Sequence, residues 1–113
     1  MNYKVELSVQ ADADLRGIYK YIAFSLLAPE NAVGQLGRLE EGILSLEQYP
    51  MRHKLYEKEP WKSRGLRVLP VDNYVLFYIP NEENKVVTVV RVLYGGRNIE
   101  KELKENTKDY GGV

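Results

Sequence analysis

Arg67, Arg91 and Arg97 stand among aliphatic residues in the second half of the chain, with Tyr78 and Tyr94 close by in sequence. That set suits phosphate chemistry. Arginine supplies a permanent charge and a planar fork that matches phosphate. Tyrosine can stack a base, or give a proton if its pKa is lowered. Metal-free RNA cleavage needs a 2′-hydroxyl deprotonated, the phosphorane charge stabilised and the leaving oxygen protonated. Arg97, Tyr94 and Arg67 are the catalytic candidates if such a reaction occurs. Charged residues inside apolar strands cost desolvation energy unless they face a wet groove, a partner or an anion. The sheet that carries them therefore reads as one face for the core and one face for something else.

Each candidate also has a plain structural reading. Tyr74 and Tyr78 fit as half-buried strand aromatics. Arg91 could pair with a helix carboxylate such as Glu40 or Glu41, and Arg67 could bind an acidic protein segment. Arg97 follows Gly95-Gly96, and glycines let a backbone approach a ligand closely. His53 is the sole histidine and lies in a polar loop, where it is either a general base or a bystander. Trp61 beside Pro60 reads as a loop anchor or a stacking platform. No Ser-His-Asp set, HExxH, P-loop or dinucleotide fingerprint is present. The carboxylates lack metal-ligand spacing, so neither a metal nor a cofactor is expected.

The elements that must position these residues follow from periodicity. Tyr3, Val5 and Leu7 alternate as a short strand. Ser8 suits a helix N-cap, and Asp12 and Asp14 suit the dipole of the helix it opens. Leu15, Ile18, Tyr19, Ile22 and Leu26 form one amphipathic stripe, and Ala32, Leu36, Leu39, Ile43 and Leu46 form another. Pro29 fits the start of the second helix and Pro50 stops it. Strands are expected at 65–71, 74–79 and 85–94, joined by Asp72-Asn73 and by the loop from Pro80 to Asn84. Ile99 and Leu103 allow one short helical turn. The order β-α-α-β-β-β predicts an α+β domain over residues 1–105: a helical hairpin packed on a small, mostly antiparallel sheet. Residues 106–113 read as a frayed tail.

Composition sets outer limits. The chain has 113 residues, no cysteine and zero formal net charge. Disulfides and thiol chemistry are thereby excluded. No apolar run suggests a signal peptide or a membrane span, and a cytoplasmic protein is expected. Charge is uneven along the chain. Residues 1–50 carry four basic and seven acidic side chains, whereas residues 51–67 carry six basic and two acidic. Lys54 and Lys62 lie in that basic stretch, which is either a solvated loop or a place for an anionic partner.

Several segments, in order and at family spacing, carry a resemblance. These are Tyr3 to Ser8, Ala11 with Asp14 to Ile18, Tyr21-Ile22, Pro29 to Ala32, Leu46 with Pro50, Gly65 to Leu69, Asn73 to Tyr78 and Arg91 to Arg97. Together they resemble the RelE/ParE superfamily of type II toxin–antitoxin toxins, over about residues 2–103. The resemblance implies a plasmid-stabilisation type toxin that arrests growth. It also implies a cognate antitoxin as partner, with operator DNA met only through that antitoxin. RelE-like members cut mRNA on the ribosome, and ParE-like members are similar to gyrase poisons. RelE-like nucleases tend to carry arginine where this chain has Val75, and tyrosine near Leu103. Arg97 matches a basic position of the nuclease site, and Tyr94 a position where some members carry His or Tyr. The resemblance therefore implies DNA gyrase as the target. A ribosome-dependent mRNA endonuclease is the alternative, and a non-toxic relative kept for antitoxin binding and regulation is the third reading. Arg67, Tyr78, Arg91, Arg97, Lys54 and Lys62 are the residues expected to meet target or antitoxin.

Overall fold

Ser8 starts the first helix as its type predicts: its hydroxyl oxygen accepts from the Ala11 N–H at 2.9 Å. The same hydroxyl donates to the Val90 carbonyl at 2.7 Å, so the cap also ties the helix to a strand far along the chain. The computed structural model describes residues 2–107. Of the expected tail, residues 108–113 lie outside the described residues.

The elements run β1 (Lys4–Leu7), α1 (Val9–Lys20), a π-helical turn (Tyr21–Ser25), α2 (Pro29–Ser45), a 3-10 turn (Pro50–Arg52), β2 (Arg67–Val71), β3 (Tyr74–Asn81), β4 (Val86–Tyr94) and α3 (Ile99–Glu105). The sheet order is β1-β4-β3-β2. The last three strands pair antiparallel, and β1 lies parallel to β4. The chain between the parallel strands β1 and β4 runs through the helical hairpin and then β2 and β3, a long connection such as a parallel pair requires.

One hydrophobic cluster sits under the hairpin, where Leu15, Leu39, Ile43 and Leu46 meet Leu76, Tyr78, Val87, Val89 and Val92. Leu39 and Leu46 are fully buried, and burying each such side chain stabilises the fold by about 1.5–3 kcal/mol. The helix approaches the sheet closely at Gly42. A Cβ there would stand 3.0 Å from Val71 Cγ2 and 3.2 Å from Leu76 Cδ1. Overpacking costs about 1–3 kcal/mol, while the gain in helix propensity returns at most about 1 kcal/mol. Gly42→Ala will therefore lower the melting temperature; a rise would show that α2 can lift off without cost.

The structure corrects three expectations. First, the opposite face of the sheet is not open. Trp61 and Leu66 from the 53–66 loop and Leu103 from α3 cover Phe77, Val90 and Leu93 there. Second, Leu26 is not in the buried stripe but 55% exposed. The Leu26 N–H bonds to the Tyr21 carbonyl five residues back, so the π-helical turn rotates Leu26 off the core-facing side. Third, Leu7 is largely exposed rather than sharing the burial of Tyr3.

A further irregularity lies in β4. Phe77 pairs with Arg91 and Tyr78 with Val89, so Val90 has no opposite residue. Regular alternation would place Val90 and Val92 on one face, yet they fall in opposite clusters. This bulge resets the alternation of the strand at Arg91.

Candidate functional site

The end of the sheet where β3 begins and β4 finishes meets the helical hairpin in a cleft of about 1120 Å³. One wall is α1 and the turn after it, with Ala13, Gly17, Ile18, Tyr21, Ile22 and Leu26. The other is α2, with Glu30, Asn31, Gly34, Gln35 and Arg38. Asn73, Tyr74, Val92, Tyr94 and Arg97 close the sheet end.

Tyr74 and Tyr94 are opposite each other on β3 and β4. Their rings meet edge to face with centroids 5.8 Å apart, a favoured aromatic geometry. Burial, then the nearby Tyr21 and Tyr94 hydroxyls, push the Tyr74 phenol above its ordinary pKa. It is therefore a poor anion at neutral pH. Tyr94 itself is about half exposed.

Gly95 and Gly96 bring Arg97 to this rim. The Gly95 N–H donates to the Asn73 carbonyl at 2.7 Å, and a Cβ on Gly96 would collide with the Tyr94 ring. The Arg97 side chain is 53% exposed, with Nη2 3.4 Å from Glu102 Oε2.

At the α2 side, Asp72 Oδ2 accepts from Arg38 Nε at 2.6 Å and from Gln35 Nε2 at 2.9 Å. Those two bonds hold the Asp72 carboxyl below its ordinary pKa. They also fix the β2–β3 turn against α2.

The other expected site residues lie elsewhere. Arg91 is buried. Its Nε and Nη2 donate to the two oxygens of Asp14 at 2.7 and 2.9 Å. Its Nη1 donates to the Asn106 carbonyl and to Thr107 Oγ1, each at 3.0 Å, and Glu102 Oε1 lies 3.6 Å from Nη2. The helix carboxylate that pairs with it is Asp14, not Glu40 or Glu41. Asp14 also accepts the Val92 N–H at 2.9 Å, beyond the point where β1 stops pairing with β4. Asp14 is thus an internal acceptor in addition to lying in α1.

Tyr78 is fully buried. Its hydroxyl donates to the Pro50 carbonyl at 2.6 Å, and burial pushes its pKa up to about 12. Arg67 Nη1 donates to the carbonyls of Met51 and His53 at 3.1 and 2.7 Å.

Within the basic stretch, Arg52 donates to the carbonyls of Gln48 and Tyr49, in the link between α2 and the 3-10 turn. Lys58 pairs with Glu100, and Arg64 lies over the Trp61 ring. Lys54 and Lys62 are exposed on that loop. Most of the stretch therefore has a partner within the protein.

His53 packs edge-on against the Tyr78 ring, and its buried Nε2 has no hydrogen-bond partner. Burial, then Arg52 and Arg67, lower its pKa. A histidine held neutral in the fold contributes stability that is full above its unfolded pKa of about 6.5 and is lost as pH falls towards the folded value. The melting temperature will fall between about pH 7 and about pH 5, and less steeply in His53→Gln. Equal falls in both proteins would show that His53 titrates freely.

Among the described residues no group of His, Asp or Glu side chains could hold a metal ion, and no helix is long and apolar enough to cross a membrane. Gly34, Gln35 and Arg38 are cleft residues that the sequence did not single out, and Gly17 and Tyr21 were marked only by the resemblance and not as site residues. Glycines inside two amphipathic helices were the available signal, because helices disfavour them.

The chain matches, over residues 5–99, the family described as the ParE toxin of the type II toxin–antitoxin system parDE. No curated protein matches it. Among solved structures it is similar to the chromosomal ParDE system of Pseudomonas aeruginosa, at 21% identity and TM-score 0.66, covering 81% of this chain and 95% of that one. It is also similar to the toxin–antitoxin complex RelBE2 of Mycobacterium tuberculosis, at 22% identity and TM-score 0.62, covering 83% and 99%. The RelE-RelB complex of Pyrococcus horikoshii gives 19% identity and TM-score 0.58, covering 86% and 99%. These three likenesses concern the fold.

Proposed function

From the premise that this chain belongs to the family of ParE toxins of type II toxin–antitoxin systems, we propose that it arrests growth by binding DNA gyrase without catalysing a reaction. We also propose that its antitoxin restrains it by filling the cleft between the hairpin and the sheet end.

The observation that carries the non-hydrolytic reading is the separation of the nuclease candidates. Arg67 pairs with Tyr78 across β2 and β3, whereas Tyr94 pairs with Tyr74. Four residues of strand separate those places, about 13 Å at the usual rise. A phosphorane has room for one set of groups within about 3 Å of its oxygens, and Arg67 is already bonded to two carbonyls. The positions where RelE-like nucleases tend to carry arginine and tyrosine are here Val75, half-buried, and Leu103, buried in the second core.

Tyr94 and Arg97 support a second reading. Both are exposed at one rim, so ribosome-dependent mRNA cleavage using that pair is the runner-up. Antitoxin as partner is supported by family membership and by likeness to solved toxin–antitoxin complexes.

Purified toxin added to gyrase and relaxed plasmid should block supercoiling and leave linear DNA after detergent and protease treatment. Added antitoxin should reverse both effects. Intact supercoiling at concentrations well above those that stop growth would overturn the gyrase reading.

A further inference from the structure

The apex of the hairpin, where α1 gives way to α2, carries apolar surface that the described residues leave uncovered. No residue from Tyr21 to Pro29 is charged. Phe24 is 69% exposed and Leu27 81%, and Tyr21, Leu26 and Val33 are each more than half exposed. Phe24, Leu27 and Val33 do not line the cleft, so filling the cleft does not account for them.

Leu27 is the informative residue. It sits at φ 53°, a left-handed backbone that glycine adopts freely and leucine only under strain. The turn closes without its side chain. The Ala28 N–H donates to the Ile22 carbonyl, and Ile22 and Ala23 pack on Ala32. Leu27 belongs to none of the hydrophobic clusters. Glycine would make the same turn at less cost, so the Leu27 side chain serves something outside the fold. Phe24 touches the Tyr19 ring edge to face, with centroids 6.5 Å apart, which fixes its ring with most of its surface in water.

We propose that the free chain pairs with a second copy of itself, hairpin apex to hairpin apex, about a two-fold axis. The charges at the edges of the patch point to that occupant. Lys20 ends α1 and Glu30 lies in the first turn of α2. Both are exposed, and neither has an ion-pair partner among the described residues. A two-fold perpendicular to the plane of the two helices lays the end of α1 against the start of α2 in the other copy. Lys20 of each copy then meets Glu30 of the other, and the pair is made twice. A two-fold lying in that plane would set lysine on lysine and glutamate on glutamate, which repel. A patch with one charge of each sign, and none between, matches itself better than it matches a surface of one sign such as nucleic acid.

The size is also sufficient. Each of the five exposed side chains offers roughly 100 Å² of apolar surface. Two apexes together bury on the order of 1,000 Å², where specific interfaces begin and are still readily reversible.

The test is sedimentation equilibrium of the full chain without antitoxin, from about 1 to about 200 µM. The native chain should pass from monomer to dimer across that range. Leu27→Gly and Phe24→Asp should each raise the dissociation constant by about tenfold or more, with the fold kept by circular dichroism. Leu44→Asp, near the far end of α2 and also exposed, should change it by less than about twofold. Lys20→Glu and Glu30→Lys should each weaken pairing by about tenfold at low salt. Mixing those two variants in equal amounts should restore pairing, because each then meets the opposite charge. Failure of the mixture to pair would overturn the two-fold. A dimer unchanged by Leu27→Gly and Phe24→Asp, or weakened as much by Leu44→Asp, forms elsewhere and overturns the proposal. So does a chain that stays monomeric to about 200 µM. Flotation of that monomer with phosphatidylglycerol vesicles would give the apex to a lipid surface instead.

Discussion

Asp14→Ala will destabilise the protein by about 3–5 kcal/mol, the usual cost of removing one partner from a buried ion pair. The Arg91 side chain is only 7% exposed and that of Asp14 14% exposed. Without Asp14 the guanidinium keeps Asn106, Thr107 and the more distant Glu102, but loses both of its short charged bonds. The Val92 N–H loses its acceptor in the same step, which adds the cost of an unsatisfied backbone donor. Most of that loss comes from the charge left behind rather than from the net worth of the pair. The double variant Asp14→Leu with Arg91→Met should therefore recover much of it. Urea unfolding followed by circular dichroism checks both. A cost below about 1 kcal/mol for Asp14→Ala would mean that water reaches Arg91 freely.

Trp61→Ala will cost a similar amount, about 3–5 kcal/mol, by opening a cavity under the loop. Trp61 is 4% exposed and packs in the cluster with Leu66, Phe77, Val90, Leu93 and Leu103. Its carbonyl also accepts the N–H groups of Arg64 and Leu66 at 3.1 Å, so ring and backbone together fix the loop. Loss of the ring should free residues 53–65 to proteases before the rest of the chain unfolds. Trp61→Phe, which keeps part of the apolar volume, should recover part of the stability. Equal protease resistance in Trp61→Ala and the native chain would show that α3 alone protects that face.

The parts of this fold that were legible in the sequence are those with regular periods. The stripes through Leu15, Ile18 and Ile22 and through Leu39, Ile43 and Leu46 gave the hairpin, and the cap at Ser8 needs only a hydroxyl before a helix. Leu26 misled because one extra residue in a turn rotates everything after it, and periodicity carries no sign of such an insertion. Arg91 misled for a related reason. The bulge at Val90 resets the alternation, and a long-range partner such as Asp14 leaves no local pattern. The covered second face was hidden because a non-periodic loop and a short helix supply the cover. In the cleft, Tyr94 and Arg97 were visible through the two glycines between them. Arg67 and Tyr78 looked like surface chemistry only because nothing in sequence tells that the Met51, His53 and Pro50 carbonyls come to meet them.

With Arg67 held apart from Tyr94 and Arg97, gyrase binding and mRNA cleavage differ in which synthesis stops first. The most direct measurement is induced expression of this chain alone in a bacterium, with labelled thymidine and labelled methionine uptake followed in parallel from the first minutes. DNA synthesis is expected to fall first while translation continues. Translation falling first, with DNA synthesis continuing, would contradict it and assign Tyr94 and Arg97 to mRNA cleavage.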